Sequence, residues 1–106
     1  MRMKLMTEEL KEKFKQFPLR SQDGKGMDAE VVVKYFNPIS AGTWLIIEGE
    51  ELENGDWELF GYCHISDWAW ESILLSELQR IELPFEMGIE RDLYIDEHAT
   101  VRSLMG

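Results

Sequence analysis

Apolar residues recur along this chain with two different periods, and the change of period divides it into elements. Between Thr7 and Phe17 the apolar residues Leu10, Phe14 and Phe17 fall three to four residues apart, with Lys11, Lys13 and Lys15 between them. That spacing predicts an amphipathic helix over about 7–17. Thr7 is placed to cap the free amides of its first turn, and Glu8 and Glu9 face the positive end of its dipole. Pro18 stops it. Ser21 to Gly26 (SQDGKG) reads as a loop by composition.

From there the pattern becomes that of strands. Residues 29–36 (AEVVVKYF), 43–50 (TWLIIEGE) and 57–64 (WELFGYCH) are rich in β-branched and aromatic residues. Asn37-Pro38 closes the first. Glu51 to Asp56, containing Asn54-Gly55, is a hairpin-type turn between the second and third. The 57–64 strand carries Phe60 and Tyr62 on one side and Trp57 and Leu59 on the other. A sheet covered on one face alternates more cleanly, so helices or a partner must cover its second face. Residues 68–75 are compatible with a further strand, with Trp68 and Trp70 pointing the same way, and 93–95 with a short last one. Ser76 to Arg80 reads as a capped helical turn and Ala99 to Leu104 as a terminal one. The expected fold is a single α+β domain over residues 1–106. It is an antiparallel meander of about three to five strands, with the N-terminal helix and short helices packed mainly on one face.

Composition and charge narrow the function. Hydrophobic residues make up 44% of the 106, enough for one core and too many for disorder. No apolar run is long enough to span a membrane, and the charged N-terminal stretch does not have the form of a signal peptide. Cys63 is the single cysteine, so no internal disulfide can form, and cytoplasm is the expected compartment. The net charge is −10, from 21 acids and 11 bases, and it is unevenly placed. Met1 to Ser40 carries eight bases against six acids, Ala41 to Arg80 one against nine, and Ile81 to Gly106 two against six. Direct binding of nucleic acid needs clustered Lys and Arg, which the last two thirds lack.

No catalytic pattern stands out. The histidines are His64 and His98, and Cys63 and His64 point to opposite faces of a strand; a set of His64, Asp67 and His98 has no ligand spacing. No metal and no cofactor is expected. There is no nucleophile elbow, and Gly24-Lys25-Gly26 matches no phosphate-binding loop. A pair of carboxylates could do acid–base work only in a cleft that separates their pKa values.

Two features point to recognition instead. Glu48, Glu50, Glu51, Glu53, Asp56 and Glu58 fall within eleven residues with no base among them. On a projecting hairpin they would form a negative field. Like charges this close cost stability, and a solvated turn is the plain alternative. Trp44, Trp57, Trp68 and Trp70 lie in the acidic middle third of the chain, and a domain this size cannot bury all four fully. Trp68, Trp70 and Tyr62 are the expected surface anchors, ahead of Trp44.

Lys34-Tyr35-Phe36-Asn37-Pro38, Thr43-Trp44, Leu59-Phe60-Gly61-Tyr62, Leu75-Ser76-Glu77-Leu78 and above all Gly88-Ile89-Glu90-Arg91-Asp92-Leu93-Tyr94 resemble a family of short bacterial proteins catalogued as domain of unknown function 2958. The likeness runs from Lys4 to about Leu104, with departures near Ser21 to Gly26 and Asp67 to Trp70. It implies a bacterial, cytoplasmic protein often carried on plasmids and other mobile elements, and brings no catalytic residues. In Gly88 to Tyr94 the residues themselves suggest Ile89 and Leu93 as core anchors and Glu90, Arg91 and Asp92 as a local ion-pair set.

The resulting expectation is a non-enzymatic acidic binding protein. Its partner is a basic protein surface, such as that of a nucleic-acid-handling defence protein, met by a DNA-like negative surface. The alternatives are a ligand-binding or hydrolytic domain with a pocket between sheet and helices, and a homodimer joined through the second aromatic face.

Overall fold

In the computed structural model, which describes residues 2–105, the apolar runs pair into one five-stranded antiparallel sheet. Its strands are β1 (Val33–Phe36), β2 (Thr43–Glu51), β3 (Trp57–His64), β4 (Trp68–Leu74) and β5 (Glu90–Arg91), in the order β4-β3-β2-β1-β5. β1 to β4 form the expected meander, and β5 returns to the far edge beside β1. The helices are α1 (Glu8–Phe14), α2 (Leu75–Gln79) and α3 (Val101–Met105). The fold is α+β, with the sheet dominant.

Thr7 caps α1 as its sequence predicts, its hydroxyl accepting from the Leu10 amide at 3.1 Å. The helix nevertheless ends at Phe14, three residues before the expected boundary. Beyond it the chain tightens into i→i−3 turns, with the Gln16 and Phe17 amides each 3.0 Å from a carbonyl three residues back. The tighter path lets the Phe17 carbonyl accept the Gly49 amide of β2 at 3.1 Å. Pro18, whose ring would crowd the Phe14 carbonyl four residues back, accounts for the helix ending there.

β1 is also shorter than its apolar run. Val31 donates to Ala99 at 2.8 Å and Val32 to Ile46 at 2.8 Å, so residues 29–32 divide their bonds between the C-terminal segment and β2. No strand forms at 93–95: Leu93 is 55% exposed, and the Tyr94 amide turns onto the Asp92 carboxylate at 2.8 Å. The strand lies earlier, at β5. Ile89 is buried as expected, but Leu93 is no core anchor. The expected local ion-pair set is replaced too: Asp92 pairs with Lys34 of β1 at 3.6 Å, and Arg91 reaches the Lys4 carbonyl at 3.4 Å.

One face of the sheet packs under α1 and α2, where Leu10, Phe14, Leu75 and Leu78 meet Trp44, Ile46, Trp57, Leu59 and Cys63. Tyr35, fully buried there, donates its hydroxyl to the Leu5 carbonyl at 2.7 Å and ties the N-terminal segment across the core. On the opposite face a smaller cluster of Ala29, Val31, Leu45, Ile47 and Val101 sits beneath α3. β2 serves both by alternation, Trp44 and Ile46 facing one cluster and Leu45 and Ile47 the other, and it carries an extra residue between Ile46 and Glu48. Opposite that bulge stands Gly61, where a Cβ would strike the Leu45 carbonyl and lie 2.8 Å from the Ile46 Cα. The short α3 covers the second face only in part, which leaves β3 and β4 beside it half open.

Candidate functional site

Pairing of β3 with β4 sets Tyr62 opposite Trp70, His64 opposite Trp68 and Phe60 opposite Ser72, all on the second face. Their rings form one continuous row. Phe60 stacks on Trp70 (centroids 5.6 Å apart, planes 11° apart) and Tyr62 on Trp68 (5.1 Å, 10°). Tyr62 and Trp70 are in tilted contact at 4.9 Å, and His64 and Trp68 at 5.1 Å. Offset and tilted contacts of this kind stabilise beyond the area they bury. The row is graded in exposure: Phe60, Tyr62 and Trp68 lean on the α3 cluster, whereas Trp70 is 38% exposed. Trp44 and Trp57 are in the core, so the four tryptophans divide two and two.

β4 is an edge strand, and its register shows what it offers. The Leu52 amide bonds the Asp56 carbonyl at 2.7 Å, which fixes the phase of the β2–β3 ladder. By the alternation of an antiparallel pair, Leu59, Gly61 and Cys63 then turn their backbone groups toward β4, opposite Ile73, Glu71 and Ala69. Trp68, Trp70, Ser72 and Leu74 therefore direct N–H and C=O groups away from the sheet. At Leu74 that amide is met by the Glu77 carboxylate at 2.8 Å. At Trp68, Trp70 and Ser72 no protein group among the described residues meets it. The residues whose rings line the open face thus also carry the open hydrogen-bonding edge.

The six acids of the hairpin do not act as one set. Glu48 is only 2% exposed, and its two carboxylate oxygens accept the Arg20 and Gln22 amides, each at 2.8 Å. It clips the 18–25 loop to β2 and does not join a projecting field. Asp56 turns inward as well. One of its oxygens accepts from the Trp57 amide (2.8 Å) and the Ser76 amide (3.1 Å), the other from the Ser76 hydroxyl (2.6 Å). The Ser76 hydroxyl, then the Trp57 amide, hold its carboxyl below the usual carboxylate range, against partial desolvation and with help from the Ser76 amide and Arg80. Glu50, Glu51 and Glu53 are exposed. Glu50 stands opposite Glu58, on the same face as the aromatic row, and Glu58 accepts the Ser72 hydroxyl at 3.2 Å. Glu71 and Asp67 are exposed along β4 and at its start.

His64, which the sequence suggests only as a metal ligand, closes the row, where period two from Tyr62 places it. Cys63 is fully buried; burial and, secondarily, the Glu71 charge push its thiol up to about 12, so it stays protonated at neutral pH. His98 pairs with Glu30 at 3.1 Å. Among the described residues no group of three His, Cys, Asp or Glu is arranged to hold a metal ion. An open groove of about 630 Å³ lies between α1 and residues 91–98, lined by both signs of charge, including Lys13, Glu30, Arg91 and His98. No helix among the described residues is long and apolar enough to cross a membrane.

A small α+β domain with an acidic, aromatic sheet edge left open is what fold and surface define. The chain belongs to the family described as Protein of unknown function (DUF2958), whose model matches residues 5–105. No curated protein and no solved structure matches it.

Proposed function

We propose that this protein is a non-enzymatic, acidic binding protein that receives a basic protein surface on its β3–β4 aromatic face. One observation carries the reading: a five-ring row stands in a stretch, Ala41 to Gln79, that contains nine acids and no Lys or Arg. An aromatic platform alone would suit stacked nucleobases. Phosphates would find no Lys or Arg in that stretch, and would meet the carboxylates of Glu50 and Glu58 on the same face. Arginine answers both features, since its guanidinium stacks on aromatic faces and pairs with carboxylates. Proteins that grip nucleic acid present Lys- and Arg-rich surfaces. In a family whose resemblance implies plasmids and other mobile elements, the partner is a host nucleic-acid-handling protein, held off its DNA by a surface that imitates the backbone.

The test has two stages. Native protein and a variant with Glu50, Glu51, Glu53 and Glu58 changed to Gln are used to capture bacterial proteins at low salt. Any basic protein retained only by the native bait is then purified and titrated with DNA in the presence of each form. Competition by the native form alone, weakening as salt rises, supports the reading. A retained protein whose DNA binding neither form disturbs contradicts it.

A second reading, small-ligand binding, rests on the groove between α1 and residues 91–98, where the Glu30–His98 pair converges with Lys13 and Arg91. A ligand screen in which hits are lost on changing His98 or Arg91 to Ala would move that reading ahead.

A further inference from the structure

We infer that β4 is built to accept an added strand: an extended, arginine-bearing segment of the partner pairs antiparallel with Trp68, Trp70 and Ser72. This rests on the proposed function and states how the basic surface is taken. Solvent-exposed edge strands are normally blunted by proline, a bulge, a lysine or a covering loop. β4 has none of these over its seven residues: it contains no Pro or Lys, and its register with β3 runs unbroken from Leu74 to Trp68. Its one charged residue is Glu71.

The phase of the ladder says what such a guest must look like. Trp68, Trp70 and Ser72 direct their amides and carbonyls outward, so guest residues opposite them would exchange both hydrogen bonds. In that register the same guest residues project their side chains onto the second face, beside the Trp68 and Trp70 rings. Every second guest residue therefore meets the aromatic row. Glu58 lies on that face one strand in, and Glu50 beyond it. Glu71 lies on the reverse of the edge. Arginine at alternate positions fits this arrangement, with guanidinium planes on indole faces and the Glu58 carboxylate two strand spacings, about 10 Å, from the guest backbone, within combined side-chain reach. A second copy of this chain is the other natural occupant of an open edge. Antiparallel pairing of β4 with itself would bring two Glu71 side chains close together on one face, in a chain of net charge −10. Charge thus selects a basic guest over a second copy.

The probe is a nine-residue peptide with Arg at alternate positions and Thr between, measured by calorimetry and by amide hydrogen exchange at low salt. Two further peptides carry backbone N-methyl groups, one on the Arg amides and one on the Thr amides; a fourth has Glu for Arg. Strand addition predicts slowed exchange at Trp68, Trp70 and Ser72, and about tenfold or greater loss of affinity on methylating the Arg amides but not the Thr amides. Equal affinity of both methylated peptides and the parent would overturn strand addition while leaving charge-based binding in place. Binding of the Glu peptide as tightly as the Arg peptide, or no binding of any, removes both. Slow exchange at the three amides that grows with protein concentration in the absence of peptide assigns the edge to a second copy and also overturns the inference. The protein is unaltered throughout, so no outcome depends on a variant folding.

Discussion

Glu50 and Glu58 face each other across β2 and β3, two carboxylates in direct register beside an aromatic row. Like charges so placed destabilise a sheet, by about 0.2–1 kcal/mol per pair. Changing Glu50 to Lys should therefore raise stability by about 0.5 kcal/mol in urea denaturation and at the same time weaken capture of a basic partner. A variant that binds more tightly would show that Glu50 has no part in binding, and one that loses stability that the pair does not strain the sheet.

Glu48 belongs to the fold. Its carboxylate accepts two backbone amides, from Arg20 and Gln22, in a nearly closed setting. Glutamine keeps one acceptor and sets an NH₂ group against a donor, so Glu48→Gln should cost about 2 kcal/mol. Amide exchange in the 18–25 loop should rise, with binding of a basic partner unchanged at temperatures where the variant is folded.

Gly61 is fixed by space. A methyl group there meets the backbone of Leu45 and Ile46 at the bulge, which cannot yield as a side-chain tip would. Gly61→Ala should destabilise by about 3 kcal/mol, at the upper end of overpacking costs. An effect below about 1 kcal/mol would show that β2 shifts easily there.

Asp56 contributes at the acid limit of stability, and Cys63, together with the buried Tyr35 hydroxyl whose pKa burial also raises, at the alkaline one. The Asp56 carboxyl is lowered by the Ser76 hydroxyl and the Trp57 amide, so its contribution is present above the unfolded pKa of about 3.9 and fades as pH falls through the lower folded value. Asp56→Asn should remove part of the acid-side slope of stability and fray the start of α2. At the alkaline end the Cys63 thiol, pushed to about 12 by burial, keeps its proton when the unfolded chain has lost it. Stability should fall as pH rises above the unfolded thiol pKa of about 8.5, and Cys63→Ser should change that slope. A thiol reagent should label Cys63 only at the rate of unfolding.

Much of this was legible in the chain. Thr7 announced α1, Asn54-Gly55 the β2–β3 hairpin, and period two the shared side of Trp68 and Trp70. What escaped depended partly on local turn and proline effects and partly on distant contacts. α1 ends at Phe14 because Pro18 crowds the carbonyl four residues back, and the freed Phe17 carbonyl takes the Gly49 amide. Leu93 and Tyr94 are apolar enough for a strand, yet an Asx turn at Asp92 leads them into solvent. Glu48 and Glu50 lie two apart on the same side of β2, and nothing local tells them apart. One is covered by the Arg20–Gln22 loop and the other is exposed.

The most direct measurement is the affinity of the arginine-alternating peptide for native protein and for Trp70→Ala at low and at moderate salt. Trp70 is the most exposed ring of the row, and its loss should cost only about 1 kcal/mol of stability. The account predicts about tenfold weaker binding by Trp70→Ala and a marked loss of affinity with salt for both forms. Equal affinity of the two forms, or binding that ignores salt, would contradict it.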